Sequence, residues 1–428
     1  MFRECLSLTS IKLSKDFDTS KTTTFENMFF NCYSLQDIDV SSFNTSNVLI
    51  MSGLFYNCSS LKSVDVSNFD TSKTTSLWNM FYNCKQLKEI NINHFNTKNV
   101  VNVESLFDGC ESLTSIDISN LDFSLSNYIN RVFNGCKSLI SIKFSDNIKT
   151  GNAIQMWNLF TGCSSLKSLD LSKFDTSKVS IFTQMFDGCK SLVSLDLSSF
   201  TANVLIESQY MFRNCESLVS LDLSNFKTNT LKYMRGMFSG CKNLETLIIN
   251  QIETYLVADM SDLFKGCEKL KSLDLSKFDT TTVTNMANMF DSCISLTSLD
   301  LSNFDTRVNK NLSYIFNNCQ KLEKLDLSKF NTEKVDDMSY MFSGCKSLTE
   351  LNLQIFNTAA VKSMKSMFTS CTGMTSLDLS SFNTEKCQNF DNIFTGIENM
   401  TLKVNSSTCA NLIKEIEDKK YNIIISYD

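Results

Sequence analysis

Proline is missing from all 428 residues, where ordinary usage would supply about 20. Proline has no N–H to donate, so its exclusion fits a backbone that is hydrogen-bonded along its whole length. Histidine is nearly missing too. His94 is the only one, and without a second histidine, a carboxylate pair at catalytic spacing or a phosphate-cradling glycine loop there is no visible machinery for acid–base or nucleophilic catalysis. Glycine is sparse at 12 residues, and the glycine-rich motif of calcium-binding rolls is absent. Positive charge is not concentrated anywhere. The formal net charge is −6 and the lysines are scattered singly, which argues against a nucleic-acid partner. No apolar run reaches 18 residues, and no charged start leads into an apolar stretch, so the chain shows neither a membrane span nor a secretion signal.

What the sequence has in abundance is repetition. Cysteines at 5, 32, 58, 84, 110, 136, 163, 189, 215, 241, 267, 293, 319, 345 and 371 are separated by twelve intervals of 26 and two of 27. A phenylalanine stands three residues before each, and Phe394 continues the series to a sixteenth unit in which Ile397 replaces Cys. Self-similarity at this period identifies a solenoid, in which each unit packs on its neighbours. Met1 stands four residues before Cys5, the slot of Met28, Met80, Met185 and Met211, so the chain is expected to begin inside a repeat and to be N-terminally incomplete.

One clear copy, LKSLDLSKFDTSKVSIFTQMFDGC from Leu166 to Cys189, divides into three pieces. Ser168-Leu169-Asp170-Leu171-Ser172 alternates polar and apolar, the pattern of a strand with one buried face. Phe174-Asp175-Thr176-Ser177 follows as a corner whose Asp and Thr can bond local backbone. Val179, Phe182, Met185, Phe186 and Cys189 recur at spacings of three, three, one and three, which predicts a short amphipathic helix. The expected fold is therefore an α/β solenoid, leucine-rich-repeat-like, of about sixteen 26-residue strand–corner–short-helix coils with one parallel sheet over residues 1–397. Residues 398–428 depart from the repeat and predict a strand, helix, strand C-terminal cap. Between Cys136 and Cys163 the unit gains a residue, loses its Phe-Asp-Thr corner and carries Lys143 for Asp, while Leu121 replaces the corner Phe next door. A local bulge around residues 120–155 and neutral drift both account for that.

Ten of fifteen strands carry Asp seven residues after the Cys, at 39, 65, 117, 170, 196, 222, 274, 300, 326 and 378. Stacked like charges repel by up to about 1 kcal/mol each, so a compensating device is expected from flanking hydroxyls and lysines such as Lys167 and Lys271. Asp170, Asp196, Asp222, Asp274, Asp300 and Asp326 form the candidate binding face. Cys163, Cys189, Cys215 and Cys241 with Phe186, Phe212 and Phe238 are expected to form dry core columns. In-register cysteines on adjacent coils have parallel Cα–Cβ vectors, which opposes disulfides, and no C-x-x-C pair suggests zinc. Cys387 takes the slot of Val179 and Val283 and is read as packing, and His94 as a surface turn residue. No cofactor or metal is expected, and no catalytic residue.

Copies such as MFDGCKSLVSLDLSSF (185–200) and FDTTTVTNMANMFDSC (278–293) resemble the repeat of mycoplasma-type surface proteins, related to the BspA-like class of leucine-rich repeats. The resemblance implies a right-handed leucine-rich solenoid of a secreted or lipid-anchored surface protein, with adhesion as its role and no catalytic residues to transfer. The leading expectation is a surface-displayed or secreted interaction solenoid that contacts a protein or glycan on a host or neighbouring cell through its sheet face. The alternative is an intracellular scaffold or regulatory array in the cytoplasm, which would suit many free thiols.

Overall fold

The computed structural model describes every residue except Lys15, Asp16, Asn147 and Asp428. Coils of about 26 residues stack in parallel within each of two compact units. The first comprises Met1–Leu205 and Asn214–Leu218, the second Ile206–Arg213 and Val219–Asp428.

The strand arm of each coil follows the alternation in the sequence. Leu169 and Leu171 are buried while Asp170 between them is exposed, and the same holds for Leu299, Leu301 and Asp300. In the first unit, β1 (Ser10–Ile11) pairs with β2 (Asp37–Ile38), and β3 (Ser115–Asp117) with β4 (Ser141–Lys143), all parallel. In the second, β5 (Ser220–Asp222) pairs with β6 (Thr246–Ile248), while β7 (Ser376–Leu379), β8 (Met400–Val404) and β9 (Ile423–Tyr427) form a three-stranded parallel sheet. Between β8 and β9 runs α1 (Ala410–Lys419), which buries Leu412 and Ile416. Parallel coils are therefore present along the chain, but regular strand pairing on this arm is intermittent, and the single expected sheet resolves into four short ones among the described residues.

The expected short helix in each coil is corrected by the structure. Among the described residues α1 is the only α-helix. The segment that reads as helical is instead a run of overlapping β-turns, and Met286–Cys293 shows the mechanism. Met289, Asp291 and Cys293 donate their N–H to the carbonyl three residues back, at 3.1 Å each. Met286, Asn288, Phe290 and Ser292 donate to Asn311, Ser313, Ile315 and Asn317 of the next coil, at 2.8–3.2 Å. Asn288 and Ser292 hold φ of +59° and +61°, and a positive φ at the third residue of a turn is what a type II turn requires. A left-handed residue every fourth position prevents the i→i−4 bonding of an α-helix and turns alternate N–H groups along the stack. The apolar spacing of three, three, one and three is satisfied equally by this turn arm, which buries the same Met, Phe and Cys.

Core columns run along the stack. In the second unit Phe290, Phe316, Phe342, Phe368 and Phe394 stack at centroid distances of 5.7–5.9 Å. In the first, Phe29, Phe55, Phe81, Phe107, Phe133, Phe160 and Phe186 do so at 5.5–6.0 Å. At the corner, a buried Thr column zips coil to coil. The Thr306 hydroxyl donates to the Asn331 carbonyl at 2.8 Å and accepts the Asn331 N–H at 2.7 Å, and Thr45 does the same with Asp70.

The irregular stretch keeps its register on both arms. β3 pairs β4 without a slip, and on the turn arm Tyr128 pairs with Gln155 across the 27-residue interval. The extra residue is absorbed in the corner between Lys143 and Thr150, part of which lies outside the described residues. Phe144 occupies the Leu column and Ile148 the Phe column, while Leu121 and Phe123 occupy the Phe and Thr columns one coil earlier. This exchange of shapes leaves an apolar cavity of about 10 Å³ beside Ile118, Phe123, Phe144, Ile148 and Phe160. It is room for one water at most, with no polar wall to hold it.

Candidate functional site

The row of strand aspartates is built by the backbone. Each of the ten accepts, through Oδ1, the N–H of the residue two positions on, from Ser41 on Asp39 at 2.9 Å to Ser380 on Asp378 at 3.0 Å. This is an Asx turn, which uses the short carboxylate to close the bend after the strand. Hydrogen bonds from Ser172, Ser198, Ser276, Ser302 and Ser328 hold Asp170, Asp196, Asp274, Asp300 and Asp326 below the usual carboxylate range. The Lys143 ammonium, 2.9 Å from Asp117, pulls that carboxyl down to about 2 with help from Ser119.

Asp170 and Asp196 lie exposed on the strand arm of the first unit, and Asp222, Asp274, Asp300 and Asp326 on that of the second. Asp274, Asp300 and Asp326 occupy three successive coils, and so do the serines that cap them. In the first unit the strand face also carries a shallow groove of about 470 Å³ bordered by Asp65, Glu89, Asn91, Asn93 and Asp117. Asn91 and Asn352 stand where other coils have Asp, and each keeps the same bond, to the N–H of Asn93 and Gln354. The local fold therefore needs the side-chain oxygen at this position, not the charge.

The cysteine column has a structural function that the sequence reading understated. Cys163, Cys189, Cys215 and Cys241 donate their S–H to the carbonyls of Phe133, Phe160, Phe186 and Phe212 in the preceding coil, at 3.1–3.2 Å. All four are fully buried, as are Phe186, Phe212 and Phe238. Burial pushes the thiols of Cys163 and Cys189 well up, so they remain protonated donors. All seventeen cysteines are free. Cys387 is buried with its thiol pushed up to about 11, and His94 is exposed with Nε2 3.0 Å from the Val66 carbonyl, where Asn68 clamps the preceding coil.

Three features were missed. The left-handed position one residue before the column Cys is signalled by Asn, Gly and Ser, such as Asn57, Gly109, Gly162 and Asn318, while the one five residues before also falls on Arg131, Tyr210, Tyr314 and Tyr340. The Thr clamps are signalled by Thr two residues after the corner Phe. A surface stack of Phe30, Tyr56 and Tyr82 at 4.5 Å spacing, with the Arg3 guanidinium 4.9 Å over Phe30, is signalled by aromatics two residues before three successive cysteines. Among the described residues no group of three or more His, Cys, Asp or Glu converges so as to hold a metal ion. No helix there is long and apolar enough to cross a membrane.

A family model described as Mycoplasma protein of unknown function, DUF285, matches in six overlapping segments, residues 1–64, 50–146, 129–248, 209–324, 234–350 and 310–419. No curated protein matches the sequence. Several solved structures show similarity, two of them as follows. One is a leucine rich cell surface protein from Faecalibacterium prausnitzii A2-165, at 18% identity over 69% of this chain and 81% of that one, with a TM-score of 0.41. The other is the TLR13–ssRNA13 complex, at 17% identity over 91% of this chain and 63% of that one, with a TM-score of 0.24.

Proposed function

The chain belongs to the DUF285 family, and from that premise we propose that it is a non-catalytic interaction solenoid, surface-displayed or secreted, that contacts a protein or glycan through its strand face. The observation that carries this reading is the row of exposed carboxylates, each locked by a backbone N–H and repeated coil after coil. Such a row offers many identical shallow contacts at fixed spacing, and multivalency then supplies affinity that no single contact has. Sequestration of the thiols supports the same reading. Buried, protonated S–H groups engaged with carbonyls present no thiolate to an oxidising exterior.

The test uses Asp→Asn, because Asn91 and Asn352 already close the same turn. The triple variant Asp274→Asn, Asp300→Asn, Asp326→Asn keeps the melting temperature and loses at least about tenfold in binding on glycan and host-surface protein arrays. Undiminished binding by the triple variant defeats the strand-face assignment. A chain that binds nothing on such arrays defeats the interaction reading as a whole. The intracellular scaffold is favoured by one observation, seventeen cysteines without a disulfide. Protease shaving of intact cells separates the two, since only a displayed protein is cleaved.

We propose that residues 398–428 shield the last coil, a role supported by the burial of Leu412 and Ile416 on α1.

A further inference from the structure

The turn arm of the first unit presents a face that the aspartate row does not use. Leu49, Thr75 and Val101 occupy one outward column in three successive coils, joined by the Thr75 N–H to the Leu49 carbonyl at 2.8 Å and the Val101 N–H to the Thr75 carbonyl at 2.9 Å. Leu49 and Val101 are exposed. So are Trp78, three residues past Thr75, and Tyr128 in the following coil, at 46% and 42%. Among the described residues no ring or cation stacks on either of these two aromatics, whereas Tyr56 and Tyr82 stack on each other and Trp157 lies under Arg131. The side-chain amides of Asn79 and Asn127 also lack a partner there, and so does Nδ2 of Asn102, whose Oδ1 accepts the Glu104 N–H. Charge on this stretch is already engaged, since Glu104 accepts from Asn130 at 2.8 Å and Asp108 from Arg131 at 2.7 Å. In the second unit the column of Leu49 and Val101 is filled instead by Thr284, Lys310, Asp336 and Lys362.

We propose that this face binds a neutral, linear polysaccharide laid along the stack, with one pyranose ring on Trp78, another on Tyr128 and the free amides on its hydroxyls. It is a second site, independent of the strand face. A pyranose offers an apolar C–H face to an aromatic ring and hydroxyls, both donors and acceptors, to an amide, so one ligand satisfies both kinds of group that this face leaves open. An apolar occupant, such as a lipid surface, would take the three amides out of water without partners. An anionic one would meet no available cation, because Arg131, held by Asp108, is the only Lys or Arg in 49–57, 75–83, 101–109 and 127–135. The spacing fits as well. Each coil advances the stack by about 4.8 Å, close to the advance per residue of an extended β-linked glycan, so Trp78 and Tyr128, two coils apart, meet alternate sugars.

Affinity electrophoresis of the 428-residue chain through gels containing hydroxyethylcellulose, lichenan or glucomannan tests this, with polygalacturonate as the anionic control. At least one neutral polymer retards the chain and polygalacturonate does not. Trp78→Ala weakens that retardation at least about tenfold with the circular-dichroism melt unchanged. Tyr128→Ala gives the same loss and serves if Trp78→Ala shifts the melt. The triple variant Asp274→Asn, Asp300→Asn, Asp326→Asn is retarded as strongly as the unaltered chain, which separates this face from the strand row. In Trp157→Phe the only tryptophan left is Trp78, and its emission moves to the blue when the retarding polymer is added. Retardation by none of the three neutral polymers overturns the proposal, and so does retardation that neither aromatic substitution weakens or that the triple variant abolishes. Trp78-dependent retention on phosphatidylcholine vesicles, or a Trp78-dependent dimer in sedimentation velocity, gives the face to a lipid surface or a second copy and overturns it as well.

Discussion

The strand arm and the turn arm of each coil show opposite relations between pattern and conformation. The strand arm alternates in sequence as a strand should, yet its inter-coil pairing is intermittent and its polar face is held by side-chain oxygens on backbone N–H groups. The turn arm has helical apolar spacing, yet it sends alternate N–H groups to the next coil and stacks with little interruption, as the bridges Asp259–Asn285–Asn311–Asp337–Ser363–Asn389 show. Periodicity of apolar residues reports which side is dry, and it does not by itself report which backbone hydrogen bonds keep it so.

The two arms titrate at opposite ends of the pH scale, which yields the largest expected effect. Fourteen thiols have folded pKa values raised by burial, Cys371 to about 12 and Cys387 to about 11 among them. An unfolded thiol loses its proton from about pH 9 while the folded one keeps it, so the unfolded state binds fewer protons and stability falls as pH rises, by about 1.4 kcal/mol per pH unit for each thiol. Thermal melts are expected to collapse between about pH 9 and 10.5. On the strand arm the sign is reversed. Its carboxylates have lowered pKa values, Asp117 at about 2, so their contribution is present above the usual value of 3.8 and is lost as pH falls toward 2. That loss is the smaller one because these groups are exposed. Equal losses at the two ends would erase the contrast.

Truncation of single side chains comes next. Phe316→Ala, in a column stacked on both sides, costs about 4 kcal/mol by denaturant titration, whereas half-buried Phe144→Ala, beside an existing cavity, costs about 2. Backbone handedness ranks third. Gly135→Ala costs about 1–2 kcal/mol for its φ of +71° alone, since a Cβ there meets only Gly109 at 3.5 Å. Gly109→Ala costs more, because its Cβ would meet the Asn83 side chain, which bonds Asn57 at 3.0 Å. Last is Asp274→Ala, which frees the Ser276 N–H to water and costs below about 1 kcal/mol, with Asp274→Asn near neutral in the same melt.

Much of this was legible in the residues. The 26-residue period, the dry Phe and Cys columns, the exposed Asp row and the strand, helix, strand at the C-terminus all follow from spacing and alternation. The turn arm was misread because Met-Phe-x-x-Cys fits a helical face, although glycine before Cys189, Cys241 and Cys267 marked a left-handed position there. The Asx turns were hidden for another reason. Repulsion within a row of aspartates suggests compensation by flanking hydroxyls and lysines, and only coordinates show the backbone N–H of Ser302 directed at Asp300.

By itself the sequence determined that identical short units must stack, because no unit buries enough apolar surface alone and every unit repeats the same apolar columns. It also determined which residues face solvent, since alternation allows a single dry side. The tertiary structure decided how the backbone closes each turn. A φ of +59° at Asn288 is set jointly with the carbonyls of the next coil that its neighbours must reach, and that partnership exists only once two coils are in register.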